Sequence, residues 1–398
     1  MTNFLSHHFK SLQVYTTLLF AFFLCSDAIA QEEAAIYVGP FDVTPTLSIN
    51  AENNDNVFSE SAGNETSATL TQFIPAVSAI ADDGVMRYSL AYQLENGRYS
   101  GVNNNDYTDH ELEAKVDWRP SIRHLIELGV TESRGHDERS VDSITGTDAT
   151  ELDKTKEREL AANYTFGSEG ARGRLVIGFT TNSLRYTTNQ SETDVLESDT
   201  DTLNASFSVG VGANSRAVLE VIDSKNTFQA NETNDRDDRS YLLGFEWKVS
   251  ELFSGNVRVG KSQNTLVNTS EKTSSTVGEA SIVWSPIEYS VFTFTANQAV
   301  ENSENNIGAF VDRSALSLDW THQINGQLTA ATILTRQTDD FVNANRSDTS
   351  NEAQIQLRYA FRRWLELGVG ITRTKRTSTD QALNFDNNKV VLSVKASL

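Results

Sequence analysis

Cysteine is almost missing from this chain of 398 residues, because the only one, Cys25, lies near its start. A single cysteine excludes an intramolecular disulfide framework. Basic residues are also scarce, since 33 Lys and Arg stand against 54 Asp and Glu and leave a formal charge of -21. That charge argues against nucleic acid as a partner, because phosphates are bound by clustered basic side chains.

Long apolar runs are lacking as well. After residue 30, no stretch reaches the ~20 consecutive apolar residues that a transmembrane helix requires, which excludes a helical membrane protein. The hydrophobic fraction is 38% and the mean hydropathy is -0.39. These averages are typical of a soluble acidic protein, and the length would suit two or three ordinary domains.

The first 30 residues are typical of a cleaved secretory signal peptide. Lys10 precedes an apolar run over residues 14–24, and Ala28-Ile29-Ala30 forms a small-x-small cleavage site before Gln31. A membrane anchor is the alternative, but the run is too short to span a bilayer. Cleavage would remove Cys25, so we expect an exported mature chain without thiolate chemistry.

From Phe41 onward the dominant pattern is period two, in which apolar residues occupy every second position over four or five steps. This spacing predicts β-strands with one apolar and one polar face. Between Leu112 and Trp118, for example, the intervening positions carry Glu113, Lys115 and Asp117. A face this highly charged would be hard to bury in a soluble core, so the pattern favours strands with lipid on one side and water on the other.

Short and long connections alternate strictly between these segments. The tight turns are predicted at 82–84, 119–121, 167–173, 212–214, 250–255, 285–286, 325–326 and 362–363. The longer loops are predicted near 51–66, 96–109, 133–157, 186–200, 225–239, 262–274, 299–310, 337–350 and 375–387. Eight turns and nine loops join eighteen strands, with sixteen as the alternative if one weak hairpin is discounted.

An even strand number with alternating connection lengths predicts a transmembrane antiparallel up-and-down β-barrel over residues 40–398. Short turns would face the periplasm and long loops the exterior, and residues 31–39 would form a short periplasmic segment. A secreted soluble protein, built as tandem β-sandwiches or as a β-solenoid, is the structural alternative. Sandwiches would need linkers and a solenoid would need turns of constant length, and neither fits this chain.

All five tryptophans lie beside predicted tight turns. They are Trp118, Trp247, Trp284, Trp320 and Trp364. Aromatic belts occur where headgroups meet hydrocarbon, so these residues predict an aromatic girdle on the periplasmic side of the membrane. Scattered tryptophans in a soluble core are the alternative interpretation.

The polar face of the strands predicts which side chains line the barrel lumen. The candidates are Arg87, Glu113, Lys115, Asp117, Glu127, Arg174, Glu246, Lys248, Arg258, Arg358, Arg362 and Glu366. Rings of charge commonly set the selectivity of pores, although each of these residues can equally be a hydrated wall residue. No row of inward aromatics offers a stacking track for sugar rings, and the nearest candidates, Tyr99 and Tyr107, are predicted to lie in a loop.

Much of the negative charge is predicted to lie in loops. Residues 51–66 hold four acidic side chains and residues 187–201 hold five, with no base in either stretch. Such loops can bind divalent cations that bridge to lipopolysaccharide, but a solvated surface explains them as well. Neither stretch has the glycine and glutamate positions of a calcium-binding loop.

An outer-membrane enzyme is a competing class of function. After the signal segment the histidines are His110, His124, His136 and His322, and no nucleophile elbow, zinc motif or phosphate loop accompanies them. We therefore predict no enzymatic activity and no catalytic, cofactor-binding or metal-binding residues.

The start of the predicted barrel resembles a known family. Gly39-Pro40-Phe41-Asp42-Val43-Thr44-Pro45 and the following Asn53-Asn54-Asp55-Asn56-Val57-Phe58 are similar to the opening strand and first loop of the putative β-barrel porin 2 family. Pro75, the stretch from Gly97 to Tyr107 and Trp118-Arg119-Pro120-Ser121 extend the resemblance, whereas Leu398 departs from the terminal Phe that is common in outer-membrane barrels.

The resemblance implies a Gram-negative outer-membrane porin that exports an exopolysaccharide or passes saccharides. A general diffusion porin and a structural or adhesive barrel are the alternatives. The expected partners are outer-membrane lipid and lipopolysaccharide, the barrel-assembly machinery, polysaccharide, and periplasmic export proteins.

Overall fold

The computed structural model describes residues 36–397. The predicted signal peptide at 1–30, residues 31–35 of the predicted periplasmic segment, and Leu398 lie outside these residues. Residues 36–38 form a short strand, β1, that pairs with the start of the next strand and stands apart from the barrel wall.

The wall itself is a closed ring of eighteen antiparallel strands. Strands β2–β19 pair in sequence order, and the last strand pairs back onto β2 through registers such as Leu392 with Ala51. The strands are β1 (Ile36–Val38), β2 (Phe41–Asn54), β3 (Ala68–Asp82), β4 (Met86–Ser100), β5 (Tyr107–Ser121), β6 (His124–His136), β7 (Lys154–Phe166), β8 (Gly173–Tyr186), β9 (Ser198–Gly212), β10 (Ser215–Phe228), β11 (Arg236–Ser250), β12 (Phe253–Leu266), β13 (Lys272–Ile287), β14 (Ser290–Glu301), β15 (Phe310–Gln323), β16 (Leu328–Val342), β17 (Arg346–Arg362), β18 (Leu365–Ser378) and β19 (Phe385–Ser397). The predicted barrel class and the count of eighteen strands are confirmed.

The period-two pattern separates the two faces of the wall. Ile49 pairs with Phe73 in the β2–β3 register, and these side chains are 45% and 47% exposed on the outer face. The neighbouring pair Asn50 and Gln72 points the other way, is 6% and 7% exposed, and forms a hydrogen bond of 3.2 Å. Closing the sheet removes free edges, so that the backbone N–H and C=O groups of the strands are paired. This pairing is required in lipid, because no water is available there to form the missing hydrogen bonds.

Prolines mark bulges rather than turns in two hairpins. Trp118 pairs with Ile126 and Ser121 with His124, so two residues of β5, including Pro120, face one residue of β6. Proline has no backbone N–H to donate to the ladder, so a bulge accommodates it well. The turn then falls at residues 122–123, after the predicted position. The bulge at residues 285–286 of β13 displaces its turn to 288–289 in the same way.

Most connections on the long-loop side are shorter than predicted. The loop predicted at 337–350 is reduced to residues 343–345, because β16 and β17 remain paired as far as Phe341 and Arg346. The eighteen strands of the wall are 12–17 residues long, whereas ~10 residues suffice to cross a bilayer. The ladder therefore continues above the apolar region, where polar alternation leaves no hydrophobic signal in the sequence.

Within the part of the chain that the structure describes, helical structure is confined to the long-loop side. A single turn of α-helix at Gln190–Thr193 is followed by a 3₁₀ turn at Asp194–Leu196, and further 3₁₀ turns lie at Glu232–Asn234 and Gln381–Leu383. Among residues 36–397, no helix has the length and apolar character needed to cross a membrane.

Candidate constriction site

The longest loop of the barrel, residues 137–153 between β6 and β7, folds inward, and we call it the crossing loop. Its neck is closed by a hydrogen bond of 2.9 Å from the Asp137 amide to the Asp153 carbonyl. Next to the neck, buried Leu152 packs with Leu70 and Tyr107 in a small apolar cluster. The loop is thus fixed at its base to the inside of the wall.

The tip of the crossing loop reaches the opposite wall. Arg346 donates from its two terminal nitrogens to the two carboxylate oxygens of Asp142, and Arg376 donates to the same carboxylate at 3.2 Å. Asn305 donates a further hydrogen bond of 3.2 Å to Asp142. Bidentate arginine–carboxylate pairs are the strongest and most directional of protein ion pairs. Since Arg346 and Arg376 lie on β17 and β18, far around the ring from β6, the loop spans the lumen.

Two contacts hold the middle of the crossing loop. The Val141 amide donates to the Phe58 carbonyl at 3.1 Å, and the Arg139 guanidinium donates to the Asn104 carbonyl at 3.2 Å. Phe58 and Asn104 belong to two neighbouring loops on the same side of the barrel. The crossing loop therefore narrows the passage at the end of the barrel that carries the long loops.

The opposite wall supports its arginines with aromatic rings and carboxylates. The guanidinium groups of Arg346 and Arg376 lie 4.5 and 5.1 Å from the ring centres of Phe341 and Phe385. Such cation–π contacts orient the charge and cover its apolar side. Arg313, on β15 two strands away from β17, is held by Glu301 and Asp339 at 2.7 Å each. Each of these cations is therefore held by groups of the wall itself.

Burial perturbs a carboxyl group in the neck of the crossing loop. Removal from water, together with the nearby carboxylates Glu304 and Asp153, raises the pKa of Asp137 from 3.8 to about 6. A hydrogen bond of 2.7 Å from the Tyr186 hydroxyl to Asp137 acts in the opposite direction. The neck thus contains a carboxyl group that can change its charge near neutral pH.

Two groups of the predicted lumen residues are brought together by the fold. The Lys115 ammonium lies 3.3 Å from Asp117 and 3.4 Å from Glu127 across β5 and β6. The Arg258 guanidinium bonds Glu246 at 2.7 Å across β11 and β12. It also contacts Glu220 and Glu279, so one cation is shared by carboxylates from the three strands β10, β11 and β13. Both groups lie on the face opposite the exposed apolar side chains.

The remaining predicted lumen residues are spread along the wall. Arg87 is opposite Asp117 in the β4–β5 register, and Glu366 is opposite Lys395 in the β18–β19 register. Lys248 pairs with Glu251 at a tight turn at 2.8 Å. The other members are Glu113 on β5, Arg174 on β8, and Arg358 and Arg362 on β17. The Arg362 guanidinium lies over the ring of Phe361, next to the turn between β17 and β18.

The predicted girdle residues lie near the tight-turn end of the barrel. Phe292 stacks between Trp284 and Trp320 at centroid distances of 5.4 and 6.0 Å, which makes a continuous aromatic row over β13, β14 and β15. Trp247 stacks on Phe245 at 6.0 Å. Trp118 is exposed on the outer face, and Trp364, which lies in the turn between β17 and β18, is exposed as well.

The predicted placement of Tyr99 and Tyr107 in a loop is wrong. Tyr99 belongs to β4 and Tyr107 begins β5, because the strands extend beyond the apolar region. Tyr107 is buried and donates to Glu95, and its ring lies 4.2 Å from that of His136. His136, predicted as a loop histidine, ends β6 and bonds Asp109 at 2.9 Å. Tyr107 is therefore a support beneath the crossing loop and offers no free sugar-stacking surface.

Sequence reasoning missed the residues that hold the crossing loop. Asp142, Arg346 and Arg376 all lie in stretches predicted as irregular loops. One signal was available, because Arg-x-Asp occurs at both 236–238 and 346–348. Residues two apart share a strand face, so this spacing indicates an inward ion pair near a strand end.

A closed barrel with an apolar exterior, a charged interior and an inward-folded loop defines the class of protein as an outer-membrane porin-type β-barrel. Its location is the outer membrane of Gram-negative bacteria. The chain belongs to the putative β-barrel porin 2 family, whose model matches residues 30–398.

Two solved structures from Pseudomonas species show the same fold. OpdO from Pseudomonas aeruginosa is 14% identical with a TM-score of 0.51, over 91% of this chain and 98% of that one. A BenF-like porin from Pseudomonas fluorescens Pf-5 is 9% identical with a TM-score of 0.51, over 90% and 99% of the two chains. The FrpB iron transporter from Neisseria meningitidis (F3-3 variant) is 12% identical with a TM-score of 0.46, and 85% of this chain spans 63% of its length. A comparison with curated proteins finds no significant match.

Proposed function

We propose that this barrel is a porin that passes small hydrophilic solutes, saccharides among them, through a constriction formed by the crossing loop. The carrying observation is the ion pair from Asp142 to Arg346 and Arg376, which fixes the loop tip across the lumen. An eighteen-stranded barrel is wide enough for an aqueous channel, so the inward loop determines how much of that width is open. The predicted lumen residues would line the path below it.

The lumen wall suits neutral, hydroxyl-rich solutes. Its charges occur in clusters in which one base contacts two or three acids, as at Lys115 with Asp117 and Glu127 and at Arg258 with Glu220, Glu246 and Glu279. Such clusters present hydrogen-bond donors and acceptors side by side, and their net negative charge disfavours anions relative to neutral solutes. Saccharides can exchange hydrogen bonds with such a wall as they move, and we infer that they pass more readily than apolar solutes of similar size.

Single-channel recording in planar bilayers tests the constriction. We expect Asp142→Asn to weaken the hold of Arg346 and Arg376 on the loop tip and to raise the mean conductance above that of the wild type. Asp148→Asn is the matched control, because Asp148 is an exposed carboxylate on the same loop. A conductance unchanged by Asp142→Asn, or raised equally by Asp148→Asn, would contradict a loop held through Asp142.

Export of an exopolysaccharide is the finer role that the family resemblance implies, and we include it in the proposal. A polymer chain requires the crossing loop to swing aside, and the loop tip is attached by polar contacts that water can replace. A deletion strain should release less polymer to the exterior than the wild type does, and the wild-type gene should restore this export. Normal export in the deletion strain would remove this role, while liposome swelling with small sugars would still report on the porin.

No catalytic role forms part of the proposal. The His136–Asp109 pair, which could suggest a base and its orienting carboxylate, packs against Tyr107 beneath the crossing loop. A structural role explains this arrangement.

A general diffusion porin or an adhesive barrel is the competing function. Liposome swelling that is faster with sugars than with salts of similar size would distinguish a saccharide porin from a general one.

A further inference from the structure

The outer face of β6 and β7 carries a basic cluster above its apolar surface. The exposed side chains Val130 and Leu160 pair across the two strands. The next outward-facing pair toward the long loops is Glu132 with Arg158, and the pair after that is Arg134 with Lys156. The chain as a whole carries a charge of -21, so a local excess of base on its lipid-facing surface calls for a ligand.

The cluster is incompletely neutralised by the protein. Glu132 is shared among Arg158, Arg134 and Lys156 at 3.0, 3.5 and 3.7 Å, so one carboxylate faces three cations. Like charges placed directly opposite each other across a sheet are destabilising. Arg185 lies opposite Lys156 on β8, but it is paired separately with Asp199 at 2.7 Å. Two positive charges in this cluster are therefore left for an anion.

The height of the cluster matches the headgroup region. Successive outward residues on a strand are ~6.7 Å apart, and strands of membrane barrels tilt by ~40°. The two charged pairs thus lie ~5 and ~10 Å above the last apolar pair. Headgroups occupy the first several ångströms beyond the hydrocarbon, and the long-loop end of the barrel faces the exterior.

We propose that Arg134, Lys156 and Arg158 bind a phosphate group of lipopolysaccharide in the outer leaflet. Arginine and lysine donate several N–H groups to phosphate oxygens, and a phosphate would supply the charge that Glu132 cannot. Binding is direct and needs no divalent cation. This site is independent of the lumen and of what the porin transports.

The test uses the full barrel in detergent with EDTA present, titrated with lipopolysaccharide and followed by native mass spectrometry. The triple variant Arg134→Gln, Lys156→Gln, Arg158→Gln should lose about 100-fold in apparent affinity, since each base near an anionic surface contributes roughly fivefold. A second triple variant, Arg239→Gln, Lys261→Gln, Arg336→Gln, is the control, because it removes three other outward-facing bases and should bind nearly as the wild type does.

Heat-modifiable migration on gels verifies that each variant is folded, and the single variant Arg158→Gln should show a smaller loss if the triple variant does not fold. Dephosphorylated lipopolysaccharide should bind the wild type as weakly as intact lipid binds the triple variant. Equal binding of the two lipids, equal losses in both triple variants, or binding that disappears in EDTA would overturn the proposal. The last result would instead indicate cation bridging to the acidic loops.

Discussion

At the residue scale, Asp137 gives the crossing loop a dependence on pH. Its pKa in the folded barrel, about 6, lies above the ordinary 3.8, so the inward-folded loop binds this proton more tightly than a released loop does. The stabilisation is therefore present at low pH and is lost as the pH rises through 6. We expect lower mean conductance one unit below that pKa than one unit above it, measured in planar bilayers.

The variant Asp137→Asn imitates the protonated side chain and keeps an oxygen that accepts from the Tyr186 hydroxyl. We expect it to hold the loop inward at both pH values and to flatten the conductance profile. Glu304 and Asp153 also face Asp137. If the conductance of the variant still changes steeply with pH, the pH dependence belongs to these two carboxyl groups instead. A wild-type channel that opens as the pH falls would contradict the assignment altogether.

Gly97 is a second residue on which the crossing loop depends, because its lack of a Cβ atom leaves room for the ring of Tyr107. A Cβ added there would lie 2.2 Å from Cε1 of Tyr107, the ring that supports the base of the crossing loop. We expect Gly97→Ala to displace this ring, disturb its hydrogen bond to Glu95 and destabilise the barrel by about 1–3 kcal/mol. Gly129→Ala is the control, because a Cβ at Gly129 meets nothing within 4 Å.

The readout is the temperature at which folded protein loses its compact migration on a gel. A decrease confined to Gly97→Ala is the predicted result, and equal behaviour of both variants would show that Tyr107 does not depend on the space above Gly97.

The period-two pattern could predict which way Tyr107 points. It could not predict the glycine opposite, because a cross-strand contact depends on register, which is set by the whole ring.

At the scale of elements, the sequence predicted the strands within the bilayer and underestimated their length outside it. In β16, Leu334 is an apolar outward residue, whereas Thr338 and Asp340 continue the outward face in water. The backbone ladder is unchanged there, but the hydrophobic contrast that reveals a strand is gone. For the same reason the sequence pattern places Arg346 and Arg376 in loops.

The aromatic row of Trp284, Phe292 and Trp320 predicts a membrane depth for β13–β15. Indole rings favour the boundary between headgroups and hydrocarbon. In a variant that retains Trp320 as its only tryptophan, we expect fluorescence to be quenched more by lipids brominated near the headgroup than by lipids brominated near the chain ends. Stronger quenching from the bilayer centre would place the row in the hydrocarbon and contradict the girdle.

At the scale of the whole molecule, one barrel accounts for the length that two or three soluble domains would otherwise explain. The modest hydrophobic fraction follows from the alternation of apolar and polar residues along each strand. Ile49 and Phe73 face lipid, for example, whereas the next pair, Asn50 and Gln72, faces inward. Closure could be predicted from the even strand number. The crossing loop could not, because its tip is fixed by residues 204 and 234 positions away along the chain.

The central claim is that the crossing loop, rather than the barrel wall, sets the width of the passage. Single-channel conductance of a barrel in which residues 139–151 are replaced by a short Gly-Ser linker tests this most directly, since the neck residues Asp137 and Asp153 are retained. We predict folded, heat-modifiable protein with a conductance severalfold above that of the wild type. The same conductance in both proteins, or no current from either, would contradict the claim.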